Sequence, residues 1–139
     1  MYGLVGGEAN AVGPAKRMLS SMTPTIVEKD GGLFMVVGTP GGSTIITSVF
    51  QTILNVIDFD KSMQAAVNAK KFHHQWLPDQ VAVEDQALDS LTQLKLKGKG
   101  GYKLVPNGPI GRVDAILKTK WGYYQAGADP RGDDVALAW

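Results

Sequence analysis

Two stretches of the chain carry residue types suited to handling an anion. Lys16-Arg17-Met18-Leu19-Ser20-Ser21-Met22-Thr23-Pro24-Thr25 sets Ser20 beside Ser21, just ahead of an apolar run. Adjacent hydroxyls there can donate to a carboxylate or a phosphate. The same residues also suit an ordinary Ser/Thr turn entering a strand. The second stretch is Gly38-Thr39-Pro40-Gly41-Gly42-Ser43-Thr44. Glycines ahead of a helix let backbone N–H groups approach a ligand, and the helix dipole favours negative charge at that end. Two such N–H groups, at Gly41 and Gly42, can form an oxyanion hole. A phosphate loop is a rival reading, but its lysine is missing and Ser43 holds the second glycine's place. A plain strand-to-helix turn that needs glycine for its dihedrals is the third reading.

Other reactive residue types point to structure instead. His73 and His74 are the only histidines, and neighbours on an extended segment face opposite ways, so a shared metal is not expected. Without cysteine, a zinc site has few ligands left. Asp129-Pro130-Arg131-Gly132-Asp133-Asp134 holds an Arg-Gly-Asp triplet, which recurs by chance. It reads as a turn in which Arg131 makes charge-assisted bonds to its acidic neighbours. Lys95, Lys97, Lys99 and Lys103 read as a solvated face, and Trp76, Trp121 and Trp139 as packing residues.

Positioning those residues requires a scaffold, and its pattern is legible. Residues 1–17 are rich in Gly, Asn and Pro and read as a loop. Thr25–Glu28 and Leu33–Val37 flank Asp30-Gly31-Gly32, which predicts a β-hairpin buried on at least one face. From Ser43 the apolar period changes from 2 to 3.6. Ile45, Ile46, Val49, Phe50, Ile53, Leu54, Val56 and Ile57 then form a wide helical face, with Ser43 or Thr44 as N-cap. Asp60 or Ser62 starts a second helix running to Lys70. A strand at Val81–Glu84 and a third helix at Leu88–Leu96 follow, the helix stopped by Gly98, Gly100 and Gly101. Tyr102–Val105, Val113–Leu117 and Trp121–Ala126 read as antiparallel strands, the last weakened or bulged at Gly122. The sum is an α+β fold with helices layered on a sheet.

Composition narrows the function classes. With 139 residues the chain is expected to form a single domain, 1–139, and with 44% apolar and 19% charged residues it reads as globular. A net charge of +1 gives no case for nucleic acid. No apolar run approaches the roughly 18 residues that span a membrane. No secretory leader is recognised, and Met1 before Tyr2-Gly3 reads as an imposed start as readily as a natural one.

Taken in order, five stretches resemble the γ-glutamyltranspeptidases. Tyr2–Val12 is similar to the segment that follows the family's small-subunit Asp-Asp motif, and Lys16–Thr25 resembles its Lys-Arg-Pro-Leu-Ser-Ser-Met-Ser/Thr-Pro-Thr. Thr39–Ser43 resembles its Ser/Thr-Pro-Gly-Gly-Ser, Phe72–Asp79 a further family stretch, and Ala128–Arg131 with Asp133-Asp134 its C-terminal signature. The resemblance covers nearly the whole chain. It implies part of an N-terminal-nucleophile hydrolase fold, a four-layer αββα sandwich, truncated before its N-terminal strands. It also implies a precursor that cleaves itself, so that a new N-terminal threonine becomes nucleophile with its own amine as base. The substrate would be a γ-glutamyl amide such as glutathione, and the acceptor water, an amino acid or a peptide. No cofactor is implied. By the same resemblance, Ser20 and Ser21 match the pair that binds the donor's α-carboxylate, and Gly41 and Gly42 match the oxyanion-hole glycines.

Some departures qualify what is carried over. Met18 stands where the family has proline, and none of the threonines matches the nucleophile. The Asp-Asp motif and the large subunit with its carboxylate-binding arginine are not in this sequence. The resemblance therefore implies a C-terminal part of the small subunit, inactive alone, whose partners are the large subunit and the rest of the small one. A homo-oligomer is expected for the isolated chain, and a periplasmic or secreted location for its parent. The competing function is a non-catalytic anion-binding or assembly domain.

Overall fold

A computed structural model describes residues 6–137. Tyr2–Val5 of the first family stretch and Trp139 lie outside the described residues. The hairpin forms as the turn residues require: β1 (Thr25–Lys29) and β2 (Gly32–Gly38) pair antiparallel, Thr25 opposite Val37. Asp30 and Gly31 both have positive φ, 53° and 74°. That is the backbone hand of a two-residue hairpin turn. β2 pairs antiparallel with β6 (Asp114–Lys118), and β6 with β7 (Tyr124–Gly127), giving the order β1-β2-β6-β7.

Two helices cover one face of this sheet. α1 (Ile45–Ile57) lies on β2, and α2 (Met63–Asn68) lies on β6 and β7. Alternate strand residues point inward, so Met35 and Val37 of β2 and Ala115 and Leu117 of β6 meet Val49, Val56, Met63, Ala66 and Val67. Fully burying the valine, leucine and methionine side chains among them stabilises by about 1.5–3 kcal/mol each. α2 sits close to β7 because residue 127 is glycine: a Cβ there would lie 2.8 Å from Val67 Cγ2 and 3.0 Å from the Met63 carbonyl. Among the described residues the other face carries no helix and stays largely exposed, with Ala136 and Leu137 of the C-terminal segment beside it. Ile26 is 69% exposed, Ile116 49% and Tyr124 60%. α1 shares this state on one flank, with Ile46 and Phe50 exposed.

A second, smaller sheet has the order β3-β4-β5, from β3 (Phe72–His73), β4 (Val81–Glu84) and β5 (Leu104–Asn107). Gln51 of α1 grips the β3 backbone, its Nε2 donating to the Phe72 carbonyl at 2.7 Å and its Oε1 accepting from the Phe72 N–H at 3.2 Å. β5, expected among the antiparallel strands with β6 and β7, instead pairs parallel with β4 in this separate sheet, because α3 (Ser90–Gly100) returns the chain to the same end.

Other expectations shift at the edges. Asp89 caps α3, accepting from the Thr92 N–H at 2.9 Å; the helix runs through Gly98 and Gly100 and stops at Gly101, whose φ is 63°. Ser62 caps α2, which ends at Asn68 instead of Lys70. Thr44 flanks α1, but its hydroxyl donates to the Gly41 carbonyl and caps no N–H. Trp121 and Gly122 lie in the turn before β7, not in a strand. Trp76 and Trp121 are each 69% exposed and do not fill the core; Trp121 stacks on Tyr123 instead. No helix among the described residues is long and apolar enough to cross a membrane.

Candidate functional site

The hairpin pairing brings the two anion-handling stretches to one end of the sheet. Thr25 opens β1 opposite Val37, near the end of β2. The Ser20-Ser21 segment therefore enters the sheet at the end where Gly41-Gly42 leaves it. Ser20 is exposed and Ser21 half-buried, and their segment is tightened locally: Met22 N–H donates to Ser20 Oγ at 3.2 Å, and Thr23 Oγ1 to the Ser21 carbonyl at 2.9 Å.

After Gly38 the chain turns through Thr39-Pro40 into a single 3₁₀ turn, Gly42–Thr44, and then α1. Gly41 has φ 146° and ψ 10°, and Gly42 has φ 59°. The first conformation is closed to L side chains and the second costs them roughly 1–2 kcal/mol. Space is short as well, since a Cβ on Gly41 would lie 2.6 Å from Thr44 Oγ1. Among the described residues neither the Gly41 nor the Gly42 N–H donates to a protein acceptor. Two unspent N–H groups on a tight turn are the donors that a developing oxyanion requires.

Behind this turn sits residue run 110–113. Arg112 N–H donates to Thr39 Oγ1 at 2.7 Å, and Arg112 Nε pairs with Asp134 at 2.7 Å. The run is held from below by two buried carboxylates. Glu84 Oε1 accepts from the Ile110 N–H at 2.7 Å, and Asp129 Oδ2 from the Val113 N–H at 2.8 Å. Arg131 joins them, with Nε and Nη2 on Glu84 at 2.8 and 2.7 Å and Nη1 on Asp129 at 2.9 Å. Its remaining donors reach the Val67 and Ala69 carbonyls at the end of α2. Lys71, 1% exposed, donates to the Val67 carbonyl at 3.1 Å and lies 3.7 Å from Asp129.

Each charge in this cluster is displaced by its surroundings. Burial pushes the Glu84 and Asp129 carboxyls up, but backbone N–H donors and the Arg131 guanidinium outweigh it and hold both below the usual carboxylate range. Glu84 in turn holds Arg131 protonated. Burial, helped by Arg131, lowers Lys71 from 10.5 to about 8. The bonds between Arg131 and Asp129 match the turn expected from the sequence. Glu84 and Lys71 were not anticipated; the one local sign was a carboxylate closing the apolar strand Val81-Ala82-Val83-Glu84.

The histidines have separate partners. His73 is buried between Thr47 Oγ1, 2.7 Å from Nδ1, and Gln75 Oε1, 2.9 Å from Nε2. His74 Nε2 lies 3.1 Å from Asp79. Among the described residues no group of three or more His, Asp or Glu side chains is placed to hold a metal ion.

The family model for γ-glutamyltranspeptidase matches residues 1–139. The chain belongs to the γ-glutamyltranspeptidase family. It is 48% identical over 139 residues to the glutathione hydrolase proenzyme of Escherichia coli K12, covering 99% of this chain and 23% of that protein. The chain thus spans about a quarter of that relative's length. Among solved structures, a mutant γ-glutamyltranspeptidase of Helicobacter pylori superposes with a TM-score of 0.88 at 45% identity, over 95% of this chain and 72% of that one. The Bacillus anthracis transpeptidase CapD shares the fold alone, with a TM-score of 0.75 at 24% identity over 90% of this chain and 75% of that one. The α+β architecture of this γ-glutamyltranspeptidase chain is accordingly part of the N-terminal-nucleophile hydrolase sandwich. Sheet β1-β2-β6-β7 with α1 and α2 forms one α and one β layer.

Proposed function

We propose that this chain is the C-terminal part of the small subunit of a γ-glutamyltransferase or glutathione hydrolase. In the complete protein, a γ-glutamyl amide such as glutathione is the donor and water, an amino acid or a peptide is the acceptor. Gly41 and Gly42 offer their N–H groups to the oxyanion that forms when the donor's γ-carbonyl is attacked. Ser20 and Ser21 offer hydroxyls to the donor's α-carboxylate. The nucleophile is a threonine in the part of the small subunit preceding this chain, and the large subunit completes the site. The observation that carries the reading is the pair of unspent N–H groups at Gly41 and Gly42, on the Thr-Pro-Gly-Gly-Ser turn. The parent is read as periplasmic or secreted by resemblance to bacterial members.

On this reading the 139 residues have no turnover of their own, because an oxyanion hole stabilises an acyl-transfer transition state but forms no acyl-enzyme. The test is release of a chromogenic amine from a γ-glutamyl anilide. The full-length processed protein is expected to turn over and the pure 139-residue chain is not. Turnover by the chain alone that a substitution within it abolishes would overturn the assignment.

A further inference from the structure

The two glycine N–H groups are fixed through the carbonyls on the other side of their own peptide planes. A trans peptide is planar, with C=O and N–H pointing in opposite directions. The Gly41 N–H shares its plane with the Pro40 carbonyl, and the Gly42 N–H with the Gly41 carbonyl. Each of those carbonyls accepts a threonine hydroxyl. Thr39 Oγ1 donates to the Pro40 carbonyl at 2.7 Å, and Thr44 Oγ1 to the Gly41 carbonyl at 2.9 Å. The Gly41 carbonyl also takes the Thr44 N–H at 3.2 Å.

The direction of the Thr39 hydroxyl is itself determined. Its oxygen accepts from the Arg112 N–H at 2.7 Å, which leaves its single proton for the Pro40 carbonyl. Arg112 cannot drift, because the N–H groups on either side, of Ile110 and Val113, end on the buried Glu84 and Asp129 carboxylates. Gly111 makes the approach possible: a Cβ there would lie 2.7 Å from Ser48 Oγ and 3.2 Å from Thr39 Oγ1. The Thr44 hydroxyl is likewise not occupied with helix capping, although Thr44 flanks α1.

We propose that Thr39 and Thr44 are positioning residues for the oxyanion hole, each clamping the carbonyl whose peptide plane carries one of the two glycine N–H donors. Neither hydroxyl touches substrate in this scheme. Each fixes the angle at which an N–H meets the developing charge, so the effect belongs to the transition state and not to ground-state binding. The proposal rests on Gly41 and Gly42 forming that hole.

The test uses the full-length processed protein and steady-state hydrolysis of a γ-glutamyl anilide. Thr39→Val and Thr44→Val remove a hydroxyl and keep the shape; Thr39→Ser and Thr44→Ser keep the hydroxyl. Loss of an oxyanion donor outright costs about 10²–10³ in kcat, so an unclamped donor is expected to cost about ten-fold or more. KM is expected to stay within about two-fold. The serine variants are expected to recover most of kcat. Gly42→Ala separates the two levels. If it lowers kcat while both valine variants match the parent, the clamps are refuted and the hole stands. If Gly42→Ala leaves kcat unchanged, the hole itself fails and the clamps with it. Melting temperature and subunit processing are followed in parallel. Valine and serine variants equally impaired in either would assign the threonines to folding and overturn the proposal.

Discussion

Ser20 and Ser21 can each give one O–H to a carboxylate, and charge-assisted hydrogen bonds of this kind contribute about 1.5–3 kcal/mol each where water is excluded. The carboxylate they are assigned is bound equally before and during the reaction. Replacing both with Ala in the full-length enzyme is therefore expected to raise KM for γ-glutamyl donors, with kcat much less affected. Steady-state kinetics on the double variant decides this, and an unchanged KM removes both serines from the site. These residues were open to a local reading because a hydroxyl pair before a strand is a feature of neighbours in sequence. Glu84 and Lys71 were not. Glu84 meets Ile110 and Arg131 from 26 and 47 residues away, and Lys71 meets Asp129 across the fold, so no window of sequence contains the reason for burying them. The opposite error occurred at Trp76 and Trp121, where residue type suggested the core or its packing and both rings are exposed, Trp121 with Tyr123 stacked on it.

At the scale of elements, the buried charges bind α2, β4, residues 110–113 and the C-terminal loop into one unit. Arg131 is 8% exposed at its side chain and Glu84 5%. Arg131→Met would leave the buried Glu84 carboxylate without its cation and Asp129 with Lys71 alone, 3.7 Å away. Removing one partner of such a set costs about 3–5 kcal/mol, to be seen as a lower melting temperature of the full-length protein. The pH dependence has a definite sign. Glu84 and Asp129 have depressed folded pKa values, so their contribution is present above the ordinary carboxylate range and is lost as pH falls through the folded values. The gap between parent and Arg131→Met is expected to be widest near neutrality and to narrow in acid. A gap unchanged by acid would show that the ion pairs do not carry it. Lys71 acts in the same direction, in a more alkaline window. Its folded value of about 8 lies below the ordinary 10.5, so the native state binds fewer protons in that window and this group's contribution rises with pH across it. Among the elements themselves, the hairpin and α1 were legible because turn residues and a change of apolar period are local. The parallel pairing of β4 with β5 was not, since strand direction is decided by the crossover and not by the strand's own residues. β3 is only two residues long and is held by Gln51 as much as by its strand partner.

At the scale of the whole molecule, the one-sided sheet is the dominant feature. Ile26, Val36, Ile116 and Tyr124 present an apolar surface that the helices do not reach, and Ile46 and Phe50 extend exposed apolar surface onto α1. Apolar areas of this kind drive association, and an uncovered strand edge adds unpaired backbone groups. The isolated chain is therefore expected to form homo-oligomers, measured by light scattering over a dilution series. A stable monomer at high concentration with cooperative thermal unfolding would show that the exposed face needs no cover. In the proposed function, the Gly41-Gly42 turn at the sheet's end serves the reaction of the full-length protein. That assignment is tested most directly by kcat of the full-length processed enzyme with Gly42→Ala. Gly42 has φ 59°, so a side chain there disturbs the backbone that aims the N–H groups. The expected result is a fall in kcat of about 10²–10³ with KM little changed. A Gly42→Ala enzyme with the parent's kcat would contradict the account.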